Sequence, residues 1–168
     1  MKKLFLLIFV SCIFGIVQDN FAQAIPADEE INLAEVKIEM KRDGSSIGCF
    51  SCSTDYLVSI DGNGIVNYED YSGVKLKGNY IFSLPVEQVK DLIKDFRKIN
   101  FFSLDNNYTE RKLANGVSER ISHAVKTTIT LTLGDKKKSV FNFYGAPKEL
   151  DELQNKINDI VIKLQQND

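Results

Sequence analysis

The stretch VKTTITLTLGDKKKSVFNFY, residues 125–144, carries the strongest structural signal in this 168-residue chain. Apolar and polar residues alternate through 125–133, which is the period of a half-buried strand. Gly134-Asp135 then favours a tight turn, and apolar residues return at 140–144. The pattern predicts an antiparallel hairpin near the end of the chain.

Similar patterns precede the hairpin. Further strand patterns occupy residues 36–41, 56–60, 65–68 and 74–82. The Asp61-Gly62-Asn63-Gly64 segment predicts a hairpin turn, because glycine and asparagine tolerate the positive φ of tight turns. We therefore expect these strands to form an antiparallel meander.

Two segments have helical periodicity. Pro85 marks the start of the first helix, with Ser83 as its expected N-cap and an end near Asn100, and Pro147 opens the second. Their apolar positions repeat at helical spacing: Val86, Val89, Leu92, Ile93, Phe96 and Ile99 in the first, and Leu150, Leu153, Ile157, Ile160, Val161 and Leu164 in the second. The predicted fold is α+β, an antiparallel sheet of a strand meander plus a C-terminal hairpin, covered on one face by two amphipathic helices.

The N-terminus has the three parts of a secretory signal. Lys2 and Lys3 form a basic head, residues 4–17 are apolar, and Ala22-Gln23-Ala24 matches the small-residue pattern of a cleavage site. We expect cleavage after Ala24. The predicted organisation is a signal peptide at 1–24, a mobile lead-in at 25–33 and a single α+β domain at 34–166.

Two other interpretations of this segment are open. An uncleaved transmembrane anchor needs about 20 apolar residues, but residues 4–17 provide only 14. Lipidation of Cys12 would need a lipobox, and Phe9 is a poor match to its first position. The sequence favours cleavage and export to the periplasm or the medium, with no transmembrane segment in the mature chain.

The charge of the chain argues against nucleic-acid binding. Removal of residues 1–24 takes away Lys2, Lys3 and Asp19 and changes the net charge from −2 to −3. Nucleic-acid binding needs a basic stripe that neutralises phosphates. The single basic run, Lys136-Lys137-Lys138, follows a turn and is typical of a solvated hairpin tip.

Cys49 and Cys52 are the two cysteines of the mature chain. In an oxidising compartment a close pair favours a structural disulfide. A redox pair is the alternative, although the loop leads into a strand rather than into a helix whose N-terminus would lower a thiol pKa. Free thiols or a metal site are the remaining options.

From Cys49-Phe50 onward the chain resembles an uncharacterised family of exported bacterial domains common in Bacteroidota. The family loop Cys-[Phe/Tyr]-Gly-x-Cys-Pro-x-Tyr is matched by Cys49-Phe50-Ser51-Cys52-Ser53-Thr54-Asp55-Tyr56, and the family helix start by Tyr144-Gly145-Ala146-Pro147-Lys148-Glu149-Leu150. The second cysteine stands one residue early and Thr54 replaces the proline, so a disulfide here would close a different loop. The resemblance implies an exported single domain and no particular mechanism.

No residue pattern predicts a catalytic, metal or cofactor site. Structural zinc needs four ligands, whereas the mature chain offers only Cys49, Cys52 and its single histidine, His123. A nucleophilic triad would have to use His123, and its neighbour Ser122 is adjacent only in sequence. We therefore expect a domain that is not an enzyme and that carries no cofactor.

The polar segment at residues 105–123 is long for a connection within a compact domain, so it is either mobile or a working surface. The sequence predicts an exported, non-catalytic domain that binds a protein, a peptide or an envelope component through this segment and the exposed sheet face. The alternative is a periplasmic thiol–disulfide redox protein that uses Cys49 and Cys52.

Overall fold

The computed structural model describes residues 31–44, 55–71 and 78–166. A 3₁₀ turn, Leu33–Glu35, leads into the first strand. The predicted meander is confirmed as four successive antiparallel strands, which are β1 (Val36–Asp43), β2 (Tyr56–Asp61), β3 (Ile65–Asp70) and β4 (Gly78–Ser83).

The second half of the chain begins with a helix. The elements in order are α1 (Val86–Lys98), a 3₁₀ turn (Phe101–Ser103), β5 (Asn107–Thr109), β6 (Arg111–Lys112), β7 (Ser118–Glu119), β8 (Lys126–Leu133), β9 (Lys136–Tyr144) and α2 (Lys148–Gln166). Both predicted helices and the predicted C-terminal hairpin of β8 and β9 are therefore confirmed.

The strands join into a seven-stranded sheet with the order β4-β3-β2-β1-β8-β9-β5. The hairpin pairs with β1, where Val36 stands opposite Leu133 and Arg42 opposite Thr127. All neighbours are antiparallel except β5, which runs parallel to β9 at the sheet edge. The domain is thus an α+β fold with a mostly antiparallel sheet and two helices.

Alternate residues of the central strands are buried. Val36, Ile38 and Met40 of β1 are at most 3% exposed, and the residues between them are partly or fully exposed. These side chains share one core cluster with residues of both helices: Val89, Leu92, Ile93 and Phe96 of α1, and Leu150, Leu153, Ile157 and Val161 of α2. Burial of these apolar faces is what stabilises the two helices against the sheet.

The predicted turn between β2 and β3 forms as expected. The Asp61 carboxylate oxygen accepts hydrogen bonds from the backbone N–H groups of Asn63, at 3.0 Å, and Ile65, at 2.9 Å. Gly64 has a φ of +88°, and its carbonyl oxygen accepts a 2.7 Å hydrogen bond from the N–H of Leu84. The turn is therefore joined directly to the end of β4.

The prediction of Ser83 as N-cap of α1 is wrong. Ser83 is the last residue of β4, where it pairs with Ile65 and stays extended. The N-cap is Pro85, which has no side-chain capping bond. Because the chain must complete the β3–β4 ladder first, the helix begins two residues later than a serine cap would allow.

Candidate functional site

The cysteine pair, Cys49 and Cys52, lies outside the described residues, as do Cys12 and the predicted cleavage point after Ala24. The residues on either side of the cysteine loop are described. The backbone N–H of Gly44 donates a 2.5 Å hydrogen bond to the carboxylate of Asp55, so the ends of the loop are held together. The disulfide and redox interpretations both stay predictions.

The segment 105–123 is more ordered than the sequence predicts. Residues 107–109 form edge strand β5, and β6 and β7 form a small antiparallel hairpin with Gly116 at its turn, at a φ of +80°. The sequence patterns do not indicate these three strands. We call residues 110–120 the arm.

Polar contacts join the base of the arm to itself and to β9. The guanidinium of Arg120 lies 2.7 Å from the carboxylate of Glu110, and the Tyr144 hydroxyl donates a 2.5 Å hydrogen bond to Glu119. The guanidinium of Arg111 lies 4.8 Å from the centroid of the Tyr144 ring, within the range of a cation–π contact. These contacts hold the arm against the end of β9.

The tip of the arm carries two exposed aliphatic side chains. Leu113 is 41% exposed and Val117 is 55% exposed. A 2.9 Å hydrogen bond from the N–H of Leu113 to the carbonyl of Val117 fixes their spacing. The arm therefore presents an apolar tip on an ordered base.

His123 and Ser122 are in contact just after the arm. The Ser122 hydroxyl lies 2.7 Å from His123 Nδ1, and both residues are exposed. A catalytic triad also requires a third group that orients the base. The hydrogen bonds described for His123 include no acidic side chain.

A polar cavity of about 200 Å³ opens beside the arm. Its walls come from the ends of β1, β8 and β9, the start of α2, and Arg111 of the arm. The polar residues that line it are Arg42, Arg111, Thr127, Asn142, Asp151, Gln154 and Asn155.

One wall of the cavity is a row of polar residues at core-facing positions of the sheet, where apolar residues are otherwise found. Arg42 pairs with Tyr56 on one side and Thr127 on the other, and Thr127 pairs with Asn142. Side chains alternate between the two faces of a strand, and Arg42 follows Val36, Ile38 and Met40 at every second position of β1. Its side chain therefore lies on the core side of the strand. The apolar core thus ends in a polar layer.

Residues of α2 cover this layer and form hydrogen bonds with it. Asn142 Nδ2 donates to Asp151 at 2.8 Å and to Gln154 Oε1 at 3.0 Å. Gln154 is only 8% exposed, yet its Nε2 has no hydrogen-bond partner among the described residues. Arg42 Nε is also buried without a partner in this part of the chain. Two residues of the cavity wall therefore each have a buried donor without a partner among the described residues.

Tyr56 closes the layer at its other end. Its hydroxyl donates a 2.9 Å hydrogen bond to Asn158 of α2. Burial is the main cause that raises the pKa of Tyr56 to about 12, although the positive charge of Arg42 opposes the shift. The phenol therefore stays neutral in the folded domain at pH values where an unfolded tyrosine ionises.

The raised pKa of Tyr56 predicts a loss of stability in alkali. The unfolded state loses this proton near pH 10 but the folded state only near pH 12. The stabilisation is complete below pH 10 and is lost as the pH rises to 12, by about 2–3 kcal/mol for a two-unit difference. Urea unfolding at pH 9 and pH 12 measures this loss. Tyr56→Phe is the control and should lose less, whereas equal losses in the two proteins would contradict the assignment.

A second cavity, of about 260 Å³, lies between α1 and α2. The Lys156 ammonium on its wall already pairs with Asp95 at 2.5 Å. Its other charged residues include Lys98, Glu149 and Glu152. This cavity presents acidic and basic groups together, and its described buried polar atoms include no orphaned donor.

The sequence contains a signal for the first cavity that its motifs do not reveal. In β1, β8 and β9 the core-facing positions become polar at one end of each strand, at Arg42, Thr127 and Asn142. Taken alone, none of these polar residues indicates a site, because strand ends are commonly polar. Only the register of the sheet shows that the three residues are neighbours.

The described residues contain neither a metal-binding cluster nor a membrane-spanning helix. Within residues 31–44, 55–71 and 78–166, no group of three or more His, Cys, Asp or Glu side chains is placed to hold a metal ion. No helix in the same ranges is long and apolar enough to cross a membrane.

Comparison with known proteins identifies one family. Residues 37–161 match the family model of a domain of unknown function, DUF6438. The match includes the whole sheet apart from the first residue of β1, together with α1, the arm and most of α2. No curated protein matches the chain.

Proposed function

We propose a binding function for this chain, which belongs to the DUF6438 family of domains of unknown function. The domain is exported, is not an enzyme, and binds a protein, a peptide or an envelope component. The observation that carries the proposal is the arm, which presents the exposed pair Leu113 and Val117 on a base held by ion-pair and cation–π contacts. Exposed apolar groups on an ordered support are typical of interaction surfaces.

Export is part of the proposal. It is supported by the basic head, apolar centre and Ala22-Gln23-Ala24 of the N-terminus, and by the resemblance of the Cys49–Cys52 loop to an exported family of Bacteroidota. In that setting the two cysteines form a structural disulfide. Lipidation of Cys12 is the alternative fate of the N-terminus, and a thiol–disulfide redox role is the alternative function.

A further part of the proposal is that both helices lie on the same face of the sheet. The composition of the core supports this arrangement, because residues of α1 and α2 share one buried cluster with alternate residues of the strands. The opposite face is then free to bind. Its central row consists of residues paired across six strands: Ile81, Asn67, Ser59, Glu39, Thr130 and Ser139.

This row is polar apart from Ile81, and the Thr130 and Ser139 hydroxyls already lie 2.7 Å apart. The centre of the face therefore offers hydrogen bonds, while the exposed side chains of Ile65 and Ile81 lie near its β3–β4 edge. The arm adds a second exposed aliphatic pair, Leu113 and Val117.

The arm can be tested by site-specific photo-crosslinking. A photoreactive residue at Val117 should give one discrete crosslinked product in an envelope fraction, and the same residue at Glu87 on α1 should not. Glu87 is a suitable control position because its side chain is 78% exposed. Diffuse or equal labelling at both positions would contradict a specific arm interface.

Loss of the apolar tip should remove the crosslinked product. We expect the double change Leu113→Ser and Val117→Ser to abolish it, while the free energy of unfolding changes by no more than about 0.5 kcal/mol per site. Ile162→Ser is the matched control, because Ile162 is an exposed aliphatic residue of α2 with 42% exposure. A product that survives the double change would place the interface elsewhere.

A further inference from the structure

We propose that the polar cavity beside the arm is a binding site for a carboxylate group. Two of the residues that line this cavity, Arg42 and Gln154, each have a buried hydrogen-bond donor, Nε and Nε2 respectively, with no partner among the described residues. A buried donor left without an acceptor costs about 1–3 kcal/mol, and an acceptor group that enters the cavity and reaches the two donors would recover this free energy. The proposal does not rest on the proposed function of the arm, because it follows from the residues that line the cavity.

The charges on the walls favour an anion. Arg42 and Arg111 both line the cavity, and neither belongs to an ion pair within the described ranges. Among the described residues that line the cavity, Asp151 is the only acidic one.

Asp151 also selects between classes of anion. Its side chain accepts a 2.8 Å hydrogen bond from Asn142, so the carboxylate is held at the wall. A doubly charged phosphate would be repelled by this charge more strongly than a singly charged carboxylate. A planar carboxylate also matches the geometry of a guanidinium group and a primary amide placed side by side.

The size and shape of the cavity agree with a small ligand or the end of a chain. A volume of about 200 Å³ is several times the roughly 30 Å³ that one water molecule occupies in the liquid. The cavity can therefore hold a carboxylate together with a few neighbouring atoms. Both a free carboxylic acid and the C-terminal carboxylate of a peptide present this group.

The proposal can be tested by titrating the intact protein with acetate and following the side-chain NMR signals of Arg42 Nε–H and Gln154 Nε2–H₂. We expect both signals to shift together and to saturate, and sodium chloride at equal ionic strength to leave them in place. Signals that do not respond to acetate up to about 100 mM would mean that the cavity holds water alone and would overturn the proposal.

Variants of the two donors make the test specific. Arg42→Gln should weaken acetate binding at least about tenfold, because it removes a charged donor. Lys94→Gln, which removes the same charge from the exposed face of α1, should leave the dissociation constant unchanged. If Arg42→Gln does not fold, Gln154→Met decides the question, since it keeps the length of the side chain and removes the donor. Unchanged acetate affinity in a folded donor variant would overturn the proposal.

Two further titrations identify the source of the group. Inorganic phosphate should bind more weakly than acetate, and a reversal of this order would overturn the carboxylate assignment. A short peptide with a free C-terminus is then compared with its amidated form. Binding of the free form alone supports a chain terminus as the ligand, whereas binding of acetate but neither peptide supports a free carboxylic acid.

Discussion

Phe96→Ala should destabilise the domain by about 3–5 kcal/mol, the usual cost of truncating a fully buried phenylalanine. Phe96 on α1 and Phe101 in the following 3₁₀ turn are both 0% exposed. Their ring centroids lie 4.9 Å apart at an interplanar angle of 89°, which is a favourable edge-to-face arrangement. The substitution removes this contact and leaves a cavity under the end of the helix. Equilibrium urea unfolding measures the loss.

Two control variants separate packing from general sensitivity to substitution. Phe96→Leu keeps most of the volume and should cost less than half as much as Phe96→Ala. Ile81→Ala removes a side chain that is 75% exposed and should be nearly neutral. Similar losses for Phe96→Ala and Ile81→Ala would show that the Phe96–Phe101 pair is not part of the stabilising core.

The second large effect is expected at Gly64, in the turn between β2 and β3. A Cβ atom at this position would lie 2.0 Å from the backbone carbonyl oxygen of Leu84, and the φ of +88° is itself unfavourable for alanine. The clash is with backbone, so relief requires the end of β4 to move. We expect Gly64→Ala to cost about 3 kcal/mol or more, measured by urea unfolding.

Gly116→Ala is the matched control for this prediction. Gly116 has a similar φ of +80°, but a Cβ atom there would have no heavy atom within 4 Å. Its cost should be limited to the backbone term of about 1–2 kcal/mol, and it falls on the arm rather than on the sheet. Equal losses for the two variants would mean that the close approach of Leu84 is not important.

The elements with strong local patterns could be predicted from the sequence. The β8–β9 hairpin follows from strict alternation around Gly134-Asp135, and α1 follows from apolar spacing after Pro85. The β2–β3 turn follows from Asp61-Gly62-Asn63-Gly64. In these segments the local preference and the tertiary contacts agree.

The elements that the sequence patterns do not predict depend on partners that are far away in the sequence. Strand β5 has only three residues, and it is a strand because it pairs in parallel with β9, more than 30 residues further along the chain. The arm is held by Arg120, Glu119 and their contacts, none of which has a periodic signature. Single-sequence patterns cannot reveal such pairings because they report only neighbours within a few residues.

The polar cavity shows the same limit for the candidate site. Arg42, Thr127 and Asn142 come from three strands, and only their shared register places them in one layer. Gln154 occurs among the apolar residues of α2, where the helical pattern alone would treat it as an interruption. The predicted site residues Cys49 and Cys52 lie outside the described part of the chain, so their role stays a prediction.

The central position of β1 has a consequence for the order in which the domain is assembled. β1 is the first strand among the described residues, yet one of its two edges pairs with β8, which is among the last elements. During synthesis or translocation from the N-terminus, the meander can form early, but that edge must wait for residues 126–133 to emerge. Late, long-range pairing of this kind slows folding and leaves an unpaired strand edge open to wrong partners in the meantime. The meander is therefore the part of this domain that a chaperone would need to shield, until β8 has been made and pairs with β1.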